Sequence, residues 1–402
     1  MKKIFFSVLL FSFTLCCGRT NLQAQVLSDS VRLSLLTIAP TNVIYNEFGH
    51  TALRIYDPVN QVDLCYNYGV YDFEAPNFVM KFVRGKLPYM MSVVRTKDEF
   101  APYIRQQRGV IEQVFNLTPN EVRAVAAFLR ENYRPENRYY MYDFIFDNCA
   151  TRIRDLLEDV LDTRFGLTDP RFRNYITFRK MLDDQITNRP WYRFGFDFIL
   201  GSPVDRRAEF REEMFLPAYL ADNLDELSYQ GEDLLGPPSI IIENGIVPVK
   251  PTPFTPMRFF GALFILALIL TIWNKPKAKK AFDAVFYGLL TFCGLFLIFM
   301  RYGTDHFVTW NNWNLLWANP LYLFCLINLF YPRTWMRAIK WLLLALSVNI
   351  LVLYNSHLQT FSPVLLPIIG IILLRLTDGL GLFKFLNPKR KEEETSTSEE
   401  EE

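Results

Sequence analysis

Histidine is nearly absent from this chain: His50, His306 and His357 are the only three in 402 residues. No two of them sit at metal-ligand spacing and there is no CxxC, so neither zinc nor another bound cofactor is expected. The motifs GxGxxG, GxxxxGK[ST] and GxSxG are all missing, and with them the signatures of dinucleotide, nucleotide and serine-nucleophile chemistry. Charge of one sign is also lacking. Lys and Arg number 43 against 42 Asp and Glu, a net charge of +1, and nothing in that balance suggests nucleic acid. Of six cysteines, only Cys65 and Cys149 fall in the charged stretch between residues 26 and 250. Any Cys–His mechanism in that stretch has one histidine to use, His50.

Composition divides the chain. Residues 1–25 read as a secretory signal: Lys2 and Lys3, the apolar core IFFSVLLFSFTL, and a small-residue cleavage site ending at Ala24. Lipidation at Cys16 or Cys17 is the competing reading, against which the residues before them are not small. Residues 26–253 then form an exported domain in a compartment that permits disulfides. Residues 254–376 are mostly apolar, with stretches at 254–273, 281–300, 315–331, 338–354 and 361–376, each 16 to 20 residues long. A bilayer core of about 30 Å needs about 20 residues of helix, so five spans are expected. The loops NKPKAKK, PRTWMRAIK and FKFLNPKRK are basic and belong in the cytoplasm. That places the first domain outside and the acidic, low-complexity tail, 377–402, inside.

The exported half is organised around DNCATRIRDLLEDVL, Asp147 to Leu161. Ile153, Leu156, Leu157, Val160 and Leu161 fall on one helical stripe, and Asp147 and Asn148 are good N-cap residues. Cys149 then lies in the first turn, where the helix dipole favours an anion and a lowered thiol pKa is expected. The plain alternative is a small buried residue. Upstream, LSLLTIAP reads as a strand, and TALRIYD and DLCYNYGVYDF as a hairpin. A turn centred between Val59 and Asn60 pairs His50 with Gly69 and Ala52 with Asn67, which puts Asn67 on the His50 side. A one-residue slip replaces Asn67 with Tyr66 or Tyr68. Cys65 shares the His50 face; it is expected free and partly buried, a Cys65–Cys149 disulfide being the alternative.

Other stretches supply walls. FEAPNFVMKFVRGKLPYMMSVVR contains a short amphipathic helix stopped by Gly85 and reads as core and lining wall, or as a lipid-binding patch. LTPNEVRAVAAFLRENY is a helix opened by Thr118 and Pro119. The outer loop RYGTDHFVTWNNWNLLWANP holds three of the seven tryptophans. Interfacial anchoring explains them. The functional reading sends His306, Asn314 and Trp317 up to floor a substrate site, beside Asn148 and Tyr68.

His50 on a strand, a polar residue on the next strand and Asn-Cys at a helix start together resemble a permuted NlpC-type papain-like fold, the branch that includes lecithin:retinol acyltransferase-like proteins. FGHTALRIYD, YNYGVYDF, DFIFDNCATRIRD and NLLWANPL resemble more closely the bacterial family called Lnb N-terminal periplasmic domain. The resemblance implies an α+β papain-like domain followed by an all-α membrane domain, with Cys149 as nucleophile, His50 as base and Asn67 as the orienting group. Those residue types suit acyl transfer, and a site tethered at the outer face of the membrane suits an envelope lipid, lipoprotein, peptide or amide as substrate, with membrane lipids as the expected partners. A non-catalytic binding module or maturation factor for an exported protein is the rival.

Overall fold

The structure, a computed structural model, describes residues 27–43, 46–163, 176–186, 188–246, 252–273 and 275–382. The expected signal peptide and nearly all of the acidic tail lie outside them. Strands β1 (Arg32–Ile38), β2 (His50–Asp57), β3 (Val62–Val70), β4 (Pro88–Arg95), β5 (Val110–Val114), β6 (Tyr139–Met141) and β9 (Ser239–Ile242) form one antiparallel sheet, ordered β6-β4-β3-β2-β1-β5-β9. A two-stranded ribbon, β7 (Ser228–Tyr229) with β8 (Glu232–Asp233), stands apart. The β2–β3 register pairs Leu53 with Tyr66 and Arg54 with Cys65, the register expected from the turn at Val59 and Asn60.

Alternation along the strands sorts residues onto two faces. Leu33, Leu35, Leu53, Ile55, Tyr66, Tyr68 and Met91 point to one side. They pack against α3 (Pro119–Asn132), α4 (Cys149–Val160) and α8 (Pro217–Asp225) through Val125, Leu129, Ile153, Leu157, Leu220 and Leu224. Each such buried side chain stabilises by about 1.5–3 kcal/mol. Leu36, Ile38, Ala52, Cys65 and Val110 point the other way, onto Tyr103 of α2 (Thr96–Arg105). Cys65 is fully buried there, a free thiol beside Thr96 Oγ1 at 3.4 Å. The short helix expected before Gly85 is α1 (Phe78–Val83). Thr118 and Pro119 open α3 as expected, and the structure adds a capping box between Thr118 and Glu121.

Among the described residues three helices are long and apolar enough to cross a membrane: α9 (Pro256–Trp273), α10 (Pro276–Tyr302) and α12 (Met336–Leu353). The other two apolar stretches form shorter helices, α11 (Tyr322–Asn328) and α13 (Leu365–Gly379). The Asn319-Pro320 turn delays the start of α11, and Ser362-Pro363 delays α13. Conversely, α13 runs past the expected start of the tail at residue 377. Arg375 fixes its end. It binds both oxygens of Asp283, at 2.6 and 2.8 Å, and reaches Asp378 at 3.0 Å and Thr271 at 2.7 Å.

The two halves are joined by backbone capping. Between the sheet domain's α4 and α8 the described residues form the α-helices α5 (Phe178–Gln185), α6 (Pro190–Ile199) and α7 (Phe210–Glu213). Asn312 and Asn314 of the outer loop donate to the carbonyls of Asp197, Phe198 and Ile199 at the end of α6, at 2.8–3.1 Å. These carbonyls have no partner within their own helix. Just beyond, the Gly201 N–H donates to Val308 O at 2.9 Å, and a Cβ on Gly201 would collide with the Trp310 carbonyl.

Candidate thiol site

Asn148 starts α4. Its Oδ1 accepts from the amides of Ala150 and Thr151, at 2.8 and 3.0 Å. Its Nδ2 donates to Phe144 O at 2.7 Å and Phe215 O at 2.9 Å. Every polar atom of the side chain is thus engaged in building the helix start, which leaves none to contact a substrate, the role expected for it. The Asn148 cap takes up the amides of Ala150 and Thr151; the amide of Cys149 itself is not among the two.

Cys149 follows, partly open to solvent at the helix start. Backbone N–H groups of Thr51, Ala150 and Cys149 itself point toward its sulfur, and the Arg108 charge draws its pKa in the same direction. Desolvation outweighs them and pushes the thiol up to about 11. The lowered value expected from the helix dipole is therefore corrected: the dipole is present, but burial is the larger effect.

His50 opens β2, one residue before Thr51. Its Nε2 lies 3.0 Å from Asn67 Oδ1. An amide oxygen only accepts, so Nε2 carries the proton and Nδ1 holds the lone pair. Asn67 is buried, which holds the ring in one orientation. Burial pulls the His50 pKa down to about 4, and the nearby Arg108 charge adds to that. The imidazole is neutral at pH 7, ready to accept a proton. Among the described residues no hydrogen bond joins His50 to Cys149. Apo sites often tighten such a contact only when substrate binds.

The sequence Asn-Cys at a helix start, with histidine on the preceding hairpin, now has a three-dimensional counterpart. Residues 19–184 match the family described as Lnb N-terminal periplasmic domain, and residues 249–383 match the Lnb transmembrane domain. The chain belongs to the Lnb family. It is an inner-membrane protein with a periplasmic N-terminal domain. No curated protein and no solved structure matches it.

In this Lnb protein Arg108 is a site residue that sequence reasoning missed. It is buried, its Nε donates to Ala39 O at 2.5 Å, and its Nη2 has no partner. A lone arginine in a loop carries no motif. Only folding sets its charge beside both Cys149 and His50. Aromatic rings wall the site. Gly69 at φ +87° keeps open a position 3.8 Å from both Cys149 Cβ and Tyr142, and Tyr142 stacks on Tyr89 at 4.4 Å. Tyr68 is buried, with its hydroxyl 3.3 Å from Asn132 Oδ1. It lines a cavity of about 300 Å³ with Asp147, Arg152, Asp155 and Asp159.

The tryptophan loop does not floor the thiol in this Lnb protein. Asn314 caps α6, Trp317 Nε1 donates to Asn314 at 2.8 Å, and the Trp317 ring is buried in the membrane-side core. His306 instead holds the α1 segment, its Nε2 3.1 Å from Val83 O. Among the described residues no cluster of His, Cys, Asp and Glu is arranged to hold a metal ion.

Proposed function

We propose that this protein is a cysteine-dependent acyl-transfer enzyme, a hydrolase or acyltransferase with a permuted papain-like periplasmic domain. Its substrate is an envelope lipid, lipoprotein, peptide or amide, with preference for the membrane side. The His50–Asn67 hydrogen bond carries the reading. It fixes the ring with Nδ1 as the free base, on the residue next to Thr51, whose amide points at the Cys149 sulfur.

Nδ1 of His50 takes the thiol proton, and the thiolate attacks the acyl carbonyl carbon. The Cys149 amide holds the developing oxyanion, and the Arg108 charge stabilises the anionic site. As the tetrahedral species collapses, the bond from carbon to the leaving oxygen or nitrogen breaks, and the His50 imidazolium protonates that atom. An acyl-thioester remains. Water, or an amine or hydroxyl acceptor, then attacks it while His50 takes the acceptor's proton, and the thiol is restored.

The membrane half is read as five traversals with a cytoplasmic C-terminus. Thr360, just before α13, donates to Asp205 of the periplasmic half, while the far end of α13 pairs with Lys279. Reporter fusions after residues 251 and 391 test this orientation; a periplasmic reporter active at 391 sinks it.

A second reading, a binding module or maturation factor, is favoured by the raised thiol. Iodoacetamide labelling followed by mass mapping separates the two. Selective, pH-dependent alkylation of Cys149 that is lost in His50→Ala supports the enzyme. Labelling indifferent to His50 supports the binding module.

A further inference from the structure

We infer that α1 and its flanks form a lip that inserts into the outer surface of the lipid bilayer. No residue of α1 is buried, and Phe73, Val79, Met80 and Phe82 are exposed by 70, 72, 59 and 48%. So large an apolar surface on a short helix calls for a partner. Its position names the partner. Arg84 donates from Nε to Gly303 O at 3.2 Å, and Asp305 N–H donates to Arg84 O at 2.9 Å. The His306 ring lies over Gly85 and Lys86 pairs with Asp305 at 3.7 Å. Gly303 is the residue at which α10 ends.

The membrane-facing side of α10 leads to that point. Leu289, Phe292, Leu295, Phe299 and Tyr302 are all exposed, spaced by three or four residues on one stripe. The stripe ends one residue before the α1 dock. The lip therefore continues the lipid-facing surface at the height where the helix leaves the bilayer. Its chemistry fits the headgroup boundary. Lys81, Arg84 and Lys86 fringe the apolar residues, and no acidic residue occurs between Glu74 and Asp98. Aromatic and aliphatic side chains with a basic fringe suit an anionic lipid interface. The assignment stands whether or not Cys149 reacts.

Photo-crosslinking tests it on the full chain. p-Benzoylphenylalanine replaces Val79, or Met80 as a second site, and the protein is reconstituted in phosphatidylethanolamine–phosphatidylglycerol vesicles. Val59 is the control: it is 66% exposed and sits at the opposite end of the β2–β3 hairpin, about 30 Å along the strand. Peptides carrying lipid adducts at 79 and 80, at tenfold or more the yield at 59, are expected. Yields equal to the control, or adducts to protein in place of lipid, overturn the lip. Unchanged iodoacetamide labelling of Cys149 in the same preparations separates this outcome from failure of the thiol reading.

Discussion

At Cys149 two effects oppose each other, and the larger sets the resting state. Helix-start amides and Arg108 favour the thiolate; burial opposes it and leaves the thiol near 11. His50, down at about 4, is neutral across the physiological range. The pair therefore rests as thiol and imidazole. Alkylation of Cys149 should climb through pH 8 to 11 with no plateau near 7, and the acid limb of any acyl-transfer rate should lie near 4, where His50 takes a proton. A plateau at neutral pH would mean an ion pair. Arg108→Gln removes a cation that lowers the thiol, so its pKa rises further. Labelling at pH 9 should fall by roughly tenfold for each unit of that rise. Cys149→Ala and His50→Ala should abolish acyl transfer to the same degree, because members of one unit fail together. Full complementation of a deletion strain by Cys149→Ala would remove the mechanism.

Among the elements, α4 and the β2–β3 hairpin were legible because their signals are local. An Asn before an apolar stripe and a turn between two alternating runs act within a few residues. Asn148→Ala tests that reading. It removes the cap and leaves the carbonyls of Phe144 and Phe215 without their donor, which should cost about 2 kcal/mol. The check is a lower thermal midpoint together with loss of Cys149 labelling selectivity. Strand β4 was not legible. PYMMSVVR has no clean alternation, and it pairs because β3 and β6 flank it. Helix α2 was missed for a related reason: Pro102 lies within it, and Tyr103 packing onto the sheet stabilises the helix despite that residue.

Over the whole molecule, the outer loop joins the periplasmic and membrane halves at the end of α6, and Arg375, Asp283 and Asp378 form a buried charge network among the membrane helices. Gly201→Ala would press a methyl group onto the Trp310 carbonyl at that joint. Its expected effect is faster proteolysis between α6 and the outer loop, with the sheet domain's own fold kept. At the other end of the membrane half, Arg375→Leu strands Asp283 without its partner. Breaking such a buried pair costs about 3–5 kcal/mol, read as a drop in the melting temperature of the detergent-solubilised protein. An unchanged midpoint would mean that Asp283 finds water or another cation.

From the sequence alone came whatever is written in near neighbours: the order of a periplasmic domain and an apolar half, the hairpin register that sets Asn67 beside His50, and the α4 start with Cys149 in its first turn. Three matters were decided only by tertiary structure. Burial of the thiol depends on strands and helices distant in the chain, so its pKa could not be read from the helix start. Arg108 gains its place at the site from loops that meet only on folding. Asn314 and Trp317 had a polar and aromatic character that suited a substrate floor. The exposed carbonyls at the end of α6 drew Asn314 into the joint instead, and Trp317 followed it into the membrane-side core.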